Sequence, residues 1–75
     1  MVGKMYVYDV TPCLRVILSL SFPAVDLYHV SILWKVNPNG EWLECHRVSA
    51  DIDYPSALAA YKNIGGKVGR KYEIK

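Results

Sequence analysis

The side chains best suited to metal chemistry are those of His29, His46 and Cys45. Cys45 and His46 are neighbours on a predicted strand, so they point to opposite faces and cannot bind one ion together. His29 and His46 fall on opposite faces in the hairpin register that we favour, and lie diagonal to each other only in the alternative register. Two ligands without a third are too few for a structural zinc site. The sequence therefore predicts no metal ion and no other cofactor.

Carboxylates are spread along the whole chain, mostly beside turns or at a predicted helix start. They are Asp9, Asp26, Glu41, Glu44, Asp51, Asp53 and Glu73. General acid–base catalysis needs two such groups converging on a pocket, and one small sheet with one helix leaves little volume for a pocket. The chain also lacks a Gly-x-Ser-x-Gly nucleophile motif. We therefore predict no catalytic residue and expect a protein that is not an enzyme.

Basic residues are concentrated near the C-terminus of the sequence. Five of the nine lie there, namely Lys62, Lys67, Arg70, Lys71 and Lys75. Gly66 and Gly69 have the GXXG spacing with which KH domains clamp a nucleic-acid backbone, but a second helix follows a KH loop and the residues after Gly69 predict a strand. A helix C-cap followed by a flexible turn is the favoured interpretation. Nucleic-acid binding through these basic side chains is the alternative function.

Aromatic side chains are more numerous than one small core can hold, with six tyrosines and two tryptophans in 75 residues. Tyr6 and Tyr8 point to one face of a predicted first strand, and Trp34 and Trp42 lie near the end of a hairpin, where coverage by one helix fails. Exposed tyrosine and tryptophan are enriched at the centres of protein–protein interfaces, and they also stack on unpaired bases. We predict that these four residues bind another protein.

A β-hairpin from Tyr28 to Ala50 must position the tryptophans. Strict alternation of apolar and polar residues before the turn predicts a strand with one buried face. The turn is Asn37-Pro38-Asn39-Gly40, in which Pro38 presets φ and Gly40 is expected in the left-handed conformation of a G1 bulge.

Two registers of this hairpin compete, and a slip of one residue moves every side chain of a strand to the other face. The bulged loop, which we favour, pairs Asn37 with Glu41. It places Trp42, Val48 and Ala50 beside Val36, Val30 and Tyr28. A two-residue loop pairs Val36 with Glu41 instead, and places Leu43 and Cys45 opposite Trp34 and Ile32.

The remaining elements give the order ββββαβ. Lys4–Val10 is a predicted strand, and residues 13–22 alternate as a second strand, although Thr11-Pro12 is also a helix-start signal. A helix is predicted after the N-cap Asp53, with Ala57, Leu58, Ala60, Tyr61 and Ile64 on its apolar face and Gly65 as its left-handed C-cap. Residues 71–75 predict a short last strand. The expected fold is α+β, a mainly antiparallel sheet of four or five strands with one helix packed on it.

Composition predicts one domain over residues 1–75. The net charge of +2 is too small to attract nucleic acid strongly, and 52% hydrophobic residues exclude disorder. The two cysteines are too few for a disulfide framework, and no apolar run is long enough to span a bilayer. We therefore expect a small cytoplasmic binding protein, such as a regulator or inhibitor of the kind that phages and mobile elements carry. A chain this short is expected to gain stability by self-association, as a homodimer.

Overall fold

Four strands and one α-helix form the fold in the computed structural model, which describes residues 5–22 and 26–73. The strands are β1 (Tyr6–Thr11), β2 (Leu14–Phe22), β3 (Leu27–Trp34) and β4 (Leu43–Ile52), and helix α1 spans Tyr54–Asn63. The strand order in the sheet is β1-β2-β3-β4, and each neighbouring pair is antiparallel. The predicted α+β fold is thus confirmed.

Alternation along β2 determines which side of the sheet is buried. Val16 and Leu18 are buried, whereas Arg15 and Ile17, which point the other way, are only partly buried. A helix would have spread these apolar residues around its circumference, so the period of two correctly favoured a strand. The predicted link into β3 includes residues 23–25, which lie outside the described residues.

Helix α1 begins and ends close to the predicted residues. Asp53 is the N-cap and Pro55 lies in the first turn, where its missing N–H is not needed. At the other end Gly65 has φ +101°. The N–H of Gly65 donates to the carbonyl of Lys62 and that of Gly66 to the carbonyl of Tyr61, which together make a Schellman motif. In the described part of the chain, no helix has the length and apolarity needed to cross a bilayer.

One cluster of side chains forms the core between α1 and the sheet. Its buried members are Tyr6, Val16, Leu18, Tyr28, Val30, Ala57 and Tyr61. We call the side of the sheet that carries Val16, Leu18 and Val30 the helix face, and the side that carries Ile17 and Ser31 the open face. α1 packs on the helix face through the small side chain of Ala57 and the ring of Tyr61, which stacks on Tyr6 with 6.0 Å between ring centroids.

The hairpin of β3 and β4 is present, but its turn differs from the prediction. The N–H of Gly40 donates to the carbonyl of Asn37 at 2.9 Å, and the N–H of Asn39 donates to the Oδ1 of Asn37 at 3.0 Å. Gly40 does not adopt a positive φ. The predicted left-handed glycine and G1 bulge are therefore wrong, because the chain turns within a longer connection from Lys35 to Trp42 and needs no left-handed residue there.

Neither predicted register holds along the whole hairpin. Trp34 pairs with Leu43, as in the two-residue loop, but Ile32 then pairs with His46, Val30 with Ser49 and Tyr28 with Ile52. Along these pairs β4 advances nine residues while β3 advances six, so β4 carries three extra residues as bulges. Asp51, near the last irregularity, has φ +57°. The favoured pairing of Val48 with Val30 and of Ala50 with Tyr28 is therefore wrong.

The predicted last strand is also not seen. Residues Arg70–Tyr72 form a single 3₁₀ turn, and Glu73 makes one isolated antiparallel bridge to Tyr6. This places the 3₁₀ turn against the outer edge of β1 without extending the sheet. Ile74 and Lys75 lie outside the described residues.

Candidate functional site

Two large apolar side chains are exposed beside each other at the end of the helix face that is nearest the hairpin turn. Trp34 pairs with Leu14 on one side and with Leu43 on the other. Trp34 is 44% exposed and Leu43 51% exposed, because α1 packs on Leu18 and Val30 and leaves this end uncovered. We call Leu14, Trp34 and Leu43 the turn-end patch. A tryptophan and a leucine side by side in solvent are typical of a binding surface.

Trp42 has a different environment from Trp34, although both residues flank the hairpin turn. Its ring is contacted by two cations, the guanidinium of Arg15 at 4.2 Å and the ammonium of Lys35 at 4.5 Å from the ring centroid. Arg15 belongs to the open face, where it also pairs with Asp9. Hydrogen bonding from Arg15 is the main reason why the pKa of Asp9 lies below its usual value. The ring of Trp42 therefore packs on the cation of an ion pair.

The two tyrosines of β1 have different environments. Tyr6 is 7% exposed and belongs to the core, so little of its surface is accessible to a partner. Tyr8 is only partly buried, and its ring meets that of Tyr72 edge to face, with centroids 5.5 Å apart.

Lysines surround this second tyrosine pair. The ammonium of Lys67 lies 5.7 Å from the ring centroid of Tyr8, and that of Lys71 lies 5.1 Å from the ring centroid of Tyr72. The structure thus brings a predicted protein-binding residue, Tyr8, together with two of the predicted nucleic-acid-binding residues. The other two in the described range, Lys62 and Arg70, are exposed. Lys75 lies outside that range.

The segment that carries Lys67 is held by the core. The hydroxyl of Tyr61 donates a hydrogen bond to the carbonyl oxygen of Lys67 at 2.7 Å. Burial raises the pKa of Tyr61 to about 12, so this hydroxyl remains a donor throughout the physiological range. The loop after α1 is therefore anchored to the core at Lys67, where the sequence predicted a flexible turn.

A polar cluster occupies the open face. The hydroxyl of Ser31, which is 2% exposed, donates to Glu44 at 2.8 Å, and Glu44 also accepts from Arg47 at 3.3 Å. These bonds explain a carboxylate inside a strand, because Glu44 pairs with Leu33 and so lies on the same face as Ser31. The hydrogen bond from Ser31 is the main reason why the pKa of Glu44 lies below its usual value.

The histidines and cysteines do not converge. His29 is on the open face, with its Nδ1 at 2.7 Å from the hydroxyl of Ser21, while His46 pairs with Ile32 on the helix face. Among residues 5–22 and 26–73, no three histidine, cysteine, aspartate or glutamate residues come together as a metal site. Cys13 is partly buried, and Cys45 is exposed on β4.

The partly buried environment of His29 predicts that the stability of the fold depends on pH. Burial, and next the charge of Arg47, lower the pKa of His29 below 6.5, so the unfolded chain binds this proton more readily than the folded protein does. Stability contributed by neutral His29 is present above pH 6.5 and is lost as the pH falls through the lowered pKa. Urea unfolding across this range should show wild type losing stability relative to His29→Gln. His46→Gln, at an exposed position, is the control. Parallel pH curves for wild type and His29→Gln would contradict the prediction.

Four residues at these surfaces were missed by sequence reasoning. Arg15 and Lys35 contact Trp42, Leu43 adjoins Trp34, and Tyr72 contacts Tyr8. Leu43 was available in the alternative register, which placed it opposite Trp34. The contacts of the other three depend on how separate elements pack, for which a single sequence carries no local signal.

Comparison with family models, with curated proteins and with solved structures finds no match to this chain.

Proposed function

We propose that this protein acts by binding another protein and not by catalysis, and that the partner docks on the turn-end patch. The observation that carries the proposal is the adjacent pair Trp34 and Leu43, each about half exposed on a sheet face whose other end is buried under α1. Tryptophan is among the residues that contribute most to binding when an interface buries them.

An amphipathic helix is the partner segment that suits this surface best. α1 already packs a helix on the same face, with Ala57 fully buried against the sheet. The uncovered end continues that face beyond α1 through Leu14 and Ile32, both partly buried. A second helix beside α1 would extend the same layer and cover Trp34 and Leu43 with apolar side chains.

The polar pairs of the open face support a role without catalysis. Ser21 and His29 are the only described serine–histidine pair at hydrogen-bond distance, and the hydrogen bonds of nearby Glu44 go to Ser31 and Arg47. A serine nucleophile needs a histidine that is itself oriented by a carboxylate.

We further propose a cytoplasmic regulator or inhibitor. Free Cys13 and Cys45 suit a reducing compartment.

Capture from the native host with a matched pair of variants tests the proposal. Wild type, Trp34→Ala and Trp42→Ala would each be used as bait after nuclease treatment, with quantitative mass spectrometry. We expect a protein that wild type and Trp42→Ala retain and Trp34→Ala loses. With that protein purified, Trp34→Ala should weaken binding by about 30-fold, the equivalent of about 2 kcal/mol. Because Trp34 is 44% exposed and lies outside the buried core, its variant should remain folded, which a cooperative urea transition checks.

Two outcomes would overturn the proposal. Equal capture by wild type and Trp34→Ala would mean that the turn-end patch is not the binding surface. Concentration-dependent mass in sedimentation equilibrium that Trp34→Ala abolishes would mean that a second copy of the chain, and not another protein, covers the patch.

A further inference from the structure

A shallow cleft of about 340 Å³ lies along the outer edge of β1, and no residue of the turn-end patch lines it. It is lined by Val7, Tyr8, Asp9, Arg15, Lys71 and Tyr72. Val7 belongs to the open face and Tyr8 to the helix face, so the cleft straddles the edge strand. Its far wall is the 3₁₀ turn that carries Lys71 and Tyr72.

We infer that this cleft binds a nucleotide unit, an aromatic base together with its phosphate. The volume is at the lower end of the range for small-molecule sites, about 300–1,000 Å³, and so suits a single nucleotide. The inference goes beyond the proposed function and uses none of the residues of the turn-end patch.

Aromatic rings provide the surface for the base. Tyr8 and Tyr72 meet edge to face at 84°, so this contact takes up only part of their ring surface. Both are only partly buried and both line the cleft. Every base has a π-face, so stacking on a partly exposed tyrosine ring binds bases with little sequence preference.

Cations provide the contacts for the phosphate. Lys67 and Lys71 are exposed and hold their ammonium groups over the rings of Tyr8 and Tyr72, and exposed Arg70 precedes Lys71 in the 3₁₀ turn. The acidic neighbours are Asp9, which is paired with Arg15, and partly buried Glu73. Positive charge therefore exceeds negative charge at the rim, which favours an anion.

A nucleotide satisfies both halves of the site. An acidic peptide would pair with Lys67 and Lys71 but would leave the two tyrosine rings without a planar partner. The base–phosphate combination uses the rings and the lysines at once. Each ammonium lies within 6 Å of a ring centroid, and the flexible lysine side chain can swing from the ring to the phosphate as the base stacks.

Fluorescence anisotropy with labelled oligothymidylate and oligouridylate tests the inference. Lys67→Gln/Lys71→Gln removes two charges at the cleft, and Lys35→Gln/Arg47→Gln removes two elsewhere, so the two variants have the same net charge. We expect the cleft variant to weaken binding at low salt and to reduce the log–log salt slope by about 1.4, at about 0.7 per single-strand phosphate. The control variant should keep the wild-type slope.

Tyr72→Leu separates stacking from charge. It keeps apolar contact with Tyr8 but removes the aromatic ring, so binding should fall by about tenfold while the salt slope stays unchanged. Trp34→Ala should bind oligonucleotides as wild type does. Failure of this inference is therefore distinguishable from failure of the proposed function.

Amide chemical shifts on titration with a nucleoside monophosphate identify the source of the ligand. Shifts at Val7, Tyr8 and Tyr72 with the free nucleotide support a small-molecule ligand, and shifts with the oligonucleotide alone support a single strand. The inference is overturned if wild type binds neither, if the two double variants lose binding equally, or if an acidic peptide binds as tightly as the oligonucleotide.

Discussion

Replacing Leu18 with alanine is expected to lower the free energy of unfolding by about 2–5 kcal/mol. Leu18 is 0% exposed and pairs with Tyr6 on β1 and with Val30 on β3, so its side chain is surrounded by core residues. Truncation removes apolar contact and leaves a cavity that a sheet under one helix cannot close. A domain of this length has a total stability of only about 4–11 kcal/mol, at about 0.05–0.15 kcal/mol per residue.

Ile17→Ala is the matched control for this prediction. Ile17 is adjacent in the same strand and has a side chain of the same size, but it points to the open face and is only partly buried. Urea unfolding should therefore give a clearly smaller loss for Ile17→Ala than for Leu18→Ala, with similar m-values. Equal losses would mean that the open face is packed as tightly as the helix face, and would contradict a core on one side of the sheet.

The contrast between Leu18 and Ile17 was predictable because period-two alternation is a local property of the sequence. The same holds for α1, whose start and end depend on Asp53, Pro55 and Gly65 within a few residues of the helix. Each signal concerns neighbours in the chain, so no knowledge of the packing was needed.

The register of β4 was not predictable in the same way. The β4 residues that pair with the helix-face residues of β3 are Leu43, His46, Ser49 and Ile52. They recur at every third position because a bulge lies between each of them and the next. A spacing of three does not resemble a strand, and half of these residues are polar. The phase change between Leu43 and Ile52 was the visible sign, since an odd spacing puts two residues of an unbroken strand on opposite faces.

The candidate binding surfaces were also predictable from the sequence only in part. Exposure of Trp34 followed from local reasoning, because one short helix cannot cover a hairpin to its end. The burial of Tyr6 depends on Tyr61, and the cleft at Tyr8 depends on Tyr72. These pairs join residues far apart in the sequence, so alternation alone could not separate the buried tyrosine from the accessible one.

Gly66→Ala is expected to lower the free energy of unfolding by about 1–3 kcal/mol, the typical cost of overpacking. A Cβ at this position would lie 2.6 Å from three ring carbons of Tyr61. Tyr61 is 0% exposed and stacks on Tyr6, so its ring has little room to move away. Displacing the ring would also disturb the hydrogen bond from Tyr61 to Lys67, and with it the position of Lys67 over Tyr8.

Gly65→Ala and a double-mutant cycle identify the cause of that loss. Gly65 has φ +101°, and a Cβ added there would meet no atom within 4 Å, so alanine costs only backbone strain, about 1 kcal/mol. In a Tyr61→Leu background the ring carbons are gone, and Gly66→Ala should cost much less than in wild type, whereas the cost of Gly65→Ala should not change. Denaturation of the single and double variants measures both couplings. An unchanged cost of Gly66→Ala beside Leu at position 61 would show that the ring of Tyr61 is not what selects glycine at this position.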